Sequence, residues 1–192
     1  MGAASYAEPM ISVQRHHLKP HPSAPPGRVS AVVVELLVDP GDDINLTYTV
    51  TDAEDVIVPT WVSPKRRNGL WRSTCFELFL KPKGGRAYFE YNFSPSSEWD
   101  SFQFDDRRFG MRPLIQPVDP AVYRGTETPH LVVEAEVDLS GLPNVPMSMG
   151  VSAVIEEKGG RMSYWALAHA AGDADFHHDD CFALELPAAT AA

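Results

Sequence analysis

The densest concentration of reactive side chains lies towards the C-terminus. There DADFHHDDC sets Asp173, Asp175, His177, His178, Asp179 and Asp180 within a few residues of one another, shortly after His169. Imidazole and carboxylate are the groups Zn²⁺ takes, and carboxylate oxygens are those of Ca²⁺. His169, Asp175 and His178 are therefore the candidate ligands for a divalent metal. Adjacent His177 and His178 point to opposite faces of an extended chain, so only one of them readily shares a site with His169. The same spacing suits another use, in which His177 hydrogen-bonds a small ligand or ties its segment down. A second polar set lies mid-chain: CFELFL carries Glu77, and AYFEYNF carries Glu90 and Asn92. Two carboxylates could in principle form an acid–nucleophile pair, but abundant acids on wet strand faces need no such role. G-x-S-x-G, H-E-x-x-H, P-loop and Rossmann signatures are all absent, and the chain is expected not to be an enzyme.

The elements that must position these groups read as strands. Short apolar runs recur over 11–18, 29–38, 44–51, 73–81, 86–94, 98–104, 130–139, 147–157, 161–168 and 181–186, and the 17 prolines and 13 glycines punctuate them. Alternation is clean in several. In 130–139, Leu131, Val133, Ala135 and Val137 face a core, while Glu134, Glu136 and Asp138 face out. Pro-Lys-Gly-Gly at 82–85 and Lys-Gly-Gly at 158–160 supply the positive-φ positions of hairpin turns, which predicts that 73–81 pairs with 86–94 and 147–157 with 161–168. In that first hairpin Cys75, Glu77 and Phe79 share one face, and Tyr88, Glu90 and Asn92 share one face of the partner strand. If the register joins them, Glu77, Glu90 and Asn92 line one patch. A solvated strand face would show the same pattern. Segments 52–70 and 105–128, rich in Pro, Arg and Asp, read as long surface loops.

About ten short strands of this kind predict an all-β, antiparallel sandwich of two stacked sheets. One domain spanning 1–192 is expected, since 192 residues with 44% apolar content can bury a core unaided. The formal net charge of −10 lacks the phosphate attraction that nucleic-acid binding needs, so nucleic acid is not an expected partner. No apolar run reaches the ~18 residues of a membrane span, and no secretory signal is visible, so a cytoplasmic protein without a membrane partner is expected. Cys75 and Cys181 lie in apolar runs and read as buried free thiols.

Two segments resemble a known family. Residues 70–104, LWRSTCFELFLKPKGGRAYFEYNFSPSSEWDSFQF, resemble the central hairpin of the family 9 carbohydrate-binding modules and the related DOMON domains. In these a Trp precedes an apolar-Glu-apolar-Phe strand, followed by a Gly-rich turn, a strand ending in Asn-x-x-Pro and a further strand. The tail SAVIEEKGGRMSYWALAHAAGDADFHHDDCFALEL is similar to a DOMON-like subgroup of uncharacterised bacterial proteins. The resemblance implies a jelly-roll-like sandwich that binds a carbohydrate or sugar-like small molecule without chemistry on it. Two aromatics would sandwich the sugar while a Glu and strand amides read its hydroxyls. The matching Trp is Trp71, the matching Glu is Glu77, and the pair on the next strand falls on Glu90 and Asn92. At Glu90 this chain departs from the family pattern, which carries a basic residue there. Trp71 at a strand edge could equally be a core residue.

The second aromatic wall is sought among Trp165, Trp99 and Phe104. Trp165 lies on a strand whose alternation also fits a core tryptophan, and loop-bound Trp61 reads as a cap on the sandwich. No cofactor is required by this reading. Relatives that bind haem imply an alternative, a redox module in which Met111, Met147, Met149 or Met162 faces His130 or His169. A protein-interaction sandwich is the third reading. Oligomeric state is not legible.

Overall fold

The computed structural model describes residues 13–38, 43–125 and 129–188. Among these the chain forms thirteen strands and three 3-10 turns, with no α-helix. The strands are β1 Val13–Pro20, β2 Ala31–Val38, β3 Asp43–Thr51, β4 Lys65–Arg66, β5 Cys75–Pro82, β6 Tyr88–Phe93, β7 Glu98–Phe104, β8 Arg112–Pro113, β9 Ala121–Gly125, β10 Leu131–Asp138, β11 Met147–Glu157, β12 Arg161–Ala166 and β13 Leu184–Leu186. No described helix is long and apolar enough to cross a membrane.

Hydrogen bonding joins the strands in the order β4-β7-β6-β5-β11-β12-β1-β2-β3-β10-β9, with β13 added to β11 and β8 to β7. The expected division into two sheets is thus not made by the hydrogen bonds. Val13 to Leu18 of β1 pair with β2, while Lys19 and Pro20 pair with β12, so β1 bridges the two halves. Nor is the sheet wholly antiparallel, because β4 runs parallel to β7. The path curls back on itself. β3 and β5 are separated along it by β2, β1, β12 and β11, yet the Tyr48 ring lies 4.8 Å from that of Phe76 and the Tyr48 hydroxyl donates to the Glu77 carbonyl at 2.8 Å. Leu36, Leu46, Tyr48, Val133, Leu78, Tyr91, Val151, Trp99 and Trp165 fill the space enclosed. Burial of each such large side chain stabilises the fold by about 1.5–3 kcal/mol.

Both expected hairpins form. Glu77 pairs with Asn92 and Leu78 with Tyr91 across β5–β6, and Ile155 pairs with Ser163 across β11–β12. Their turns use Gly84 at φ 78° and Gly159 and Gly160 at φ 82° and 78°, conformations that cost other residues dearly. Alternation with one wet face holds for β3 and β10 but not for β5 and β6, whose residues from Cys75 to Leu80 and from Tyr88 to Phe93 are buried on both faces. Their second face is covered. Phe79, Tyr88, Phe102, Phe104 and Val154 meet Phe176 and Phe182 from the C-terminal segment in a second apolar cluster. Segment 105–128 is not loop throughout: β8 and β9 lie within it, and its residues 126–128 fall outside the described residues, as do residues 11 and 12 of the first expected strand. Cys75 and Cys181 are buried and free.

Candidate ligand-binding site

A cross-strand row of polar side chains runs over the covered face. Asp100 of β7 pairs with Asn92 of β6, Asn92 with Glu77 of β5, and Glu77 with Ser152 of β11. One alternation step from Asn92 stands Glu90, opposite Phe79 and Phe102. The period-two geometry of neighbouring strands brings these groups together. Ser152 Oγ donates to Glu77 Oε2 at 2.8 Å, Asn92 Nδ2 donates to Glu90 Oε1 at 2.6 Å, and Cys75 Sγ donates to Asn92 Oδ1 at 3.6 Å. Glu77, Glu90 and Asn92 are buried, so the solvated-face alternative does not describe them.

Above this row opens a cleft of about 290 Å³. Glu77 and Glu90 form its floor, and Trp71, Phe104, Tyr164 and Phe176 supply aromatic surface. Arg108, Met111, Val154, Ala174 and His177 complete the lining. Trp71 sits in the 3-10 turn Leu70–Arg72, entered through Gly69 at φ 85°, and its ring meets Phe102 edge-on at 5.9 Å. It is half-buried rather than sealed in the core.

His177 is held inside an aromatic frame, edge-on to Phe79, Tyr88 and Phe104 at 5.3, 5.8 and 5.3 Å. Its Nδ1 shares a 2.7 Å hydrogen bond with the Tyr88 hydroxyl, which also accepts from the Arg108 amide at 3.1 Å. The hydroxyl proton is then free to point at Nδ1, which leaves the imidazole proton on Nε2, 3.8 Å from Glu90 Oε2. Burial, with Arg108 adding to it, lowers the pKa of His177 to about 4, so the ring is neutral. Asp175 folds the segment by accepting from the His177 amide at 3.2 Å, and it receives Arg107 Nε at 2.9 Å and Arg108 Nε at 3.0 Å.

The two carboxylates interact. Burial raises the pKa of Glu77, with the neighbouring charge of Glu90 acting the same way. Burial likewise raises Glu90, while the Asn92 bond and Arg108 oppose it. Glu90 Oε2 is buried and makes no hydrogen bond. The floor thus carries two carboxyls bordered by rings, with His177 Nε2 at its edge, an arrangement suited to holding a ligand that presents polar groups along one edge and apolar faces on either side.

Of the residues singled out in the sequence, Trp71, Glu77, Glu90 and His177 line this cleft, and Asn92 orients Glu90 from beneath. Trp99 and Trp165 do not. Both lie in the main core, on the opposite face, at 4% and 2% exposure. The reason is parity: Trp99 is an odd number of residues from Phe102 and Phe104, which lie on the cleft side of the sheet, and Trp165 pairs with core-facing Ala153. Phe104 is the aromatic wall from that strand. His169 Nε2 donates to the Lys19 carbonyl at 2.7 Å, His178 accepts from the Asp180 amide to cap the turn Asp179–Cys181, and Asp175 is engaged by arginines. These three do not converge, and no metal-sized group of three or more His, Cys, Asp or Glu occurs among the described residues. Met147 and Met149 belong to the main core, and neither His130 nor His169 lines the cleft. Arg108, Tyr164 and Phe176 were not singled out. Arg108 adopts φ 55° in the tight turn between Asp106 and Phe109, a conformation uncommon for arginine.

The fold is like that of the family 9 carbohydrate-binding modules, one of the two groups that residues 70–104 resemble; the solved structures below include no DOMON domain. The chain is similar to a proposed carbohydrate-binding protein from Bacteroides uniformis ATCC 8492, with a TM-score of 0.58 and 15% identity over 89% of this chain and 84% of that one. It is also similar to a family 9 carbohydrate-binding module from Caldicellulosiruptor kristjanssonii in complex with cellotriose, with a TM-score of 0.54 and 13% identity over 87% of this chain and 83% of that one. A module of the same family and organism in complex with glucose gives a TM-score of 0.52 and 14% identity over 94% and 91% of the two chains. No family model matches the sequence, and no curated protein matches it.

Proposed function

We propose that this chain binds a small carbohydrate, non-covalently and without altering it, in the cleft between Trp71 and the C-terminal segment. The observation that carries the reading is the unpartnered, buried Glu90 Oε2 on a floor bordered by the rings of Trp71, Phe104 and Phe176. Pyranose C–H faces stack on such rings, and hydroxyls donate to such carboxylates. The fold neighbours support the same class of ligand, since two of them hold cellotriose and glucose. At about 290 Å³ the cleft suits one or two sugar rings rather than a polymer lying across a flat surface.

Isothermal titration of the full chain against a panel of mono- and disaccharides tests this. Saturable binding by at least one sugar is expected, weakened about tenfold or more by Trp71→Ala through loss of the stacking surface. A panel without any binder, or a Trp71→Ala protein that binds as wild type does, would overturn the proposal.

A further inference from the structure

We infer that the cleft selects a sugar carrying a protonated amino group, with Glu90 as the acceptor of that ammonium. This rests on the sugar-binding reading above and names the class of sugar.

The donors on the floor are already engaged. Ser152 Oγ is committed to Glu77, and Asn92 Nδ2 to Glu90 Oε1. What stays open is Glu90 Oε2, on a residue only 4% exposed, which becomes a free acceptor once the carboxyl is ionised. A buried acceptor without a donor is unfavourable, so a ligand that supplies one is bound preferentially. A hydroxyl brings one donor and no charge. An ammonium brings three donors together with the positive charge that an enclosed carboxylate lacks.

Among the charged and titratable groups facing Glu90, acids outnumber cations, and Cys75 on β5 is a buried thiol whose pKa is raised well above its ordinary value. Glu77 approaches from β5, Tyr88 stands on β6 itself and Asp100 acts from β7. His177 faces it from the C-terminal segment and is neutral. Arg108 is the cation on this side, and its Nε and terminal nitrogen are held by Asp175 at 3.0 and 2.8 Å. An acidic or phosphorylated sugar would meet two carboxylates on the floor, whereas an amino sugar meets them with the complementary charge.

Proton linkage supplies an independent readout. Burial keeps the floor carboxyls partly protonated where ordinary ones are ionised. An arriving ammonium favours the ionised form, so binding expels a proton. Affinity for the amino sugar therefore rises with pH until the ligand's own amine deprotonates.

The experiment is calorimetry on the full chain at about pH 6, in buffers of differing ionisation enthalpy. Glucosamine, galactosamine and mannosamine are compared with their parent sugars and N-acetyl derivatives, and with cyclohexylamine, an amine without hydroxyls. At least one amino sugar should bind about tenfold more tightly than its parent and its N-acetyl form, with proton release, and Glu90→Gln should reduce that preference to within about threefold. Amino sugars no tighter than their parents overturn this inference and leave the sugar-binding reading standing. No sugar binding at all overturns both. Cyclohexylamine matching the best amino sugar overturns the selection of a sugar. Should Glu90→Gln fail to fold, the wild-type heats decide alone, and absence of proton release overturns the inference.

Discussion

The Tyr88 hydroxyl and His177 Nδ1 share a 2.7 Å hydrogen bond that joins a strand of the sheet to the segment covering it. Because Tyr88 also stacks on Phe104 at 4.7 Å and accepts from the Arg108 amide, one side chain fixes the cleft's floor, wall and rim together.

Removing that hydroxyl should loosen the cover without emptying the core. Tyr88→Phe keeps the ring stack but leaves His177 Nδ1 and the Arg108 amide, both part-buried, without this partner, at a cost of about 1–3 kcal/mol. Urea unfolding measures this, and hydrogen exchange should show the loss of protection concentrated over residues 173–182. Unchanged stability and exchange would contradict the role given to Tyr88.

Trp165 and Trp71 should separate stability from binding. Trp165 is sealed in the core, so Trp165→Ala is expected to cost about 3–5 kcal/mol in denaturant unfolding. Half-buried Trp71 should cost less than half as much when truncated, yet Trp71→Ala should abolish most of the sugar affinity. Equal destabilisation by the two would contradict the assignment of Trp71 to the cleft.

Trp165 and Trp99 also show what the sequence made legible. Apolar runs marked most strands, the Gly-rich turns marked both hairpins, and alternation gave the shared face of Glu77, Glu90 and Asn92, because a period of two is a local property that register carries across strands. The same parity assigns Trp99 to the face opposite Phe104, so its place in the core could have been read from spacing alone. Other features could not. That both faces of β5 and β6 are buried depends on Phe176 and Phe182 folding back over the sheet, a long-range contact. β9 is short, follows Pro120 and gains its pairing from β10, so nothing local marks it as a strand. The joining of the two halves through β1 likewise depends on where Lys19 and Pro20 change partners.

The paired acids set a pH dependence of stability. Glu77 and Glu90 have pKa values raised by burial, so the folded state binds more protons than the unfolded one above the ordinary carboxylate range near pH 4, and stability falls as pH rises through their titration. Glu77→Gln should flatten that decline between about pH 5 and pH 9, as thermal unfolding can record. His177 works in the opposite sense. Its pKa is lowered to about 4, so its contribution is present above its unfolded value near 6.5 and is lost as pH falls towards 4. His177→Gln should remove that acid-side loss. A parallel pH profile for wild type and Glu77→Gln would contradict the burial argument.

Glu157 should prove a structural acid. It is buried at the end of β11, and its carboxylate accepts from the backbone amides of Gly27 and Arg28 at 2.6 Å each and of Val29 at 3.2 Å. Glu157→Gln halves the acceptor set and removes the charge, and is expected to cost about 2–3 kcal/mol by denaturant unfolding while sugar affinity in the remaining folded protein is unchanged. A loss of affinity without loss of stability would contradict this.

The central claim, that a sugar occupies the Trp71 side of the sheet, is tested most directly by the four tryptophan indole N–H resonances. On titration with a bound sugar identified by calorimetry, the Trp71 signal should shift progressively and saturate with the calorimetric affinity. Those of Trp99 and Trp165, in the core, should stay in place. A saturating shift confined to Trp61, or no shift at Trp71 while sugar binds, would contradict it.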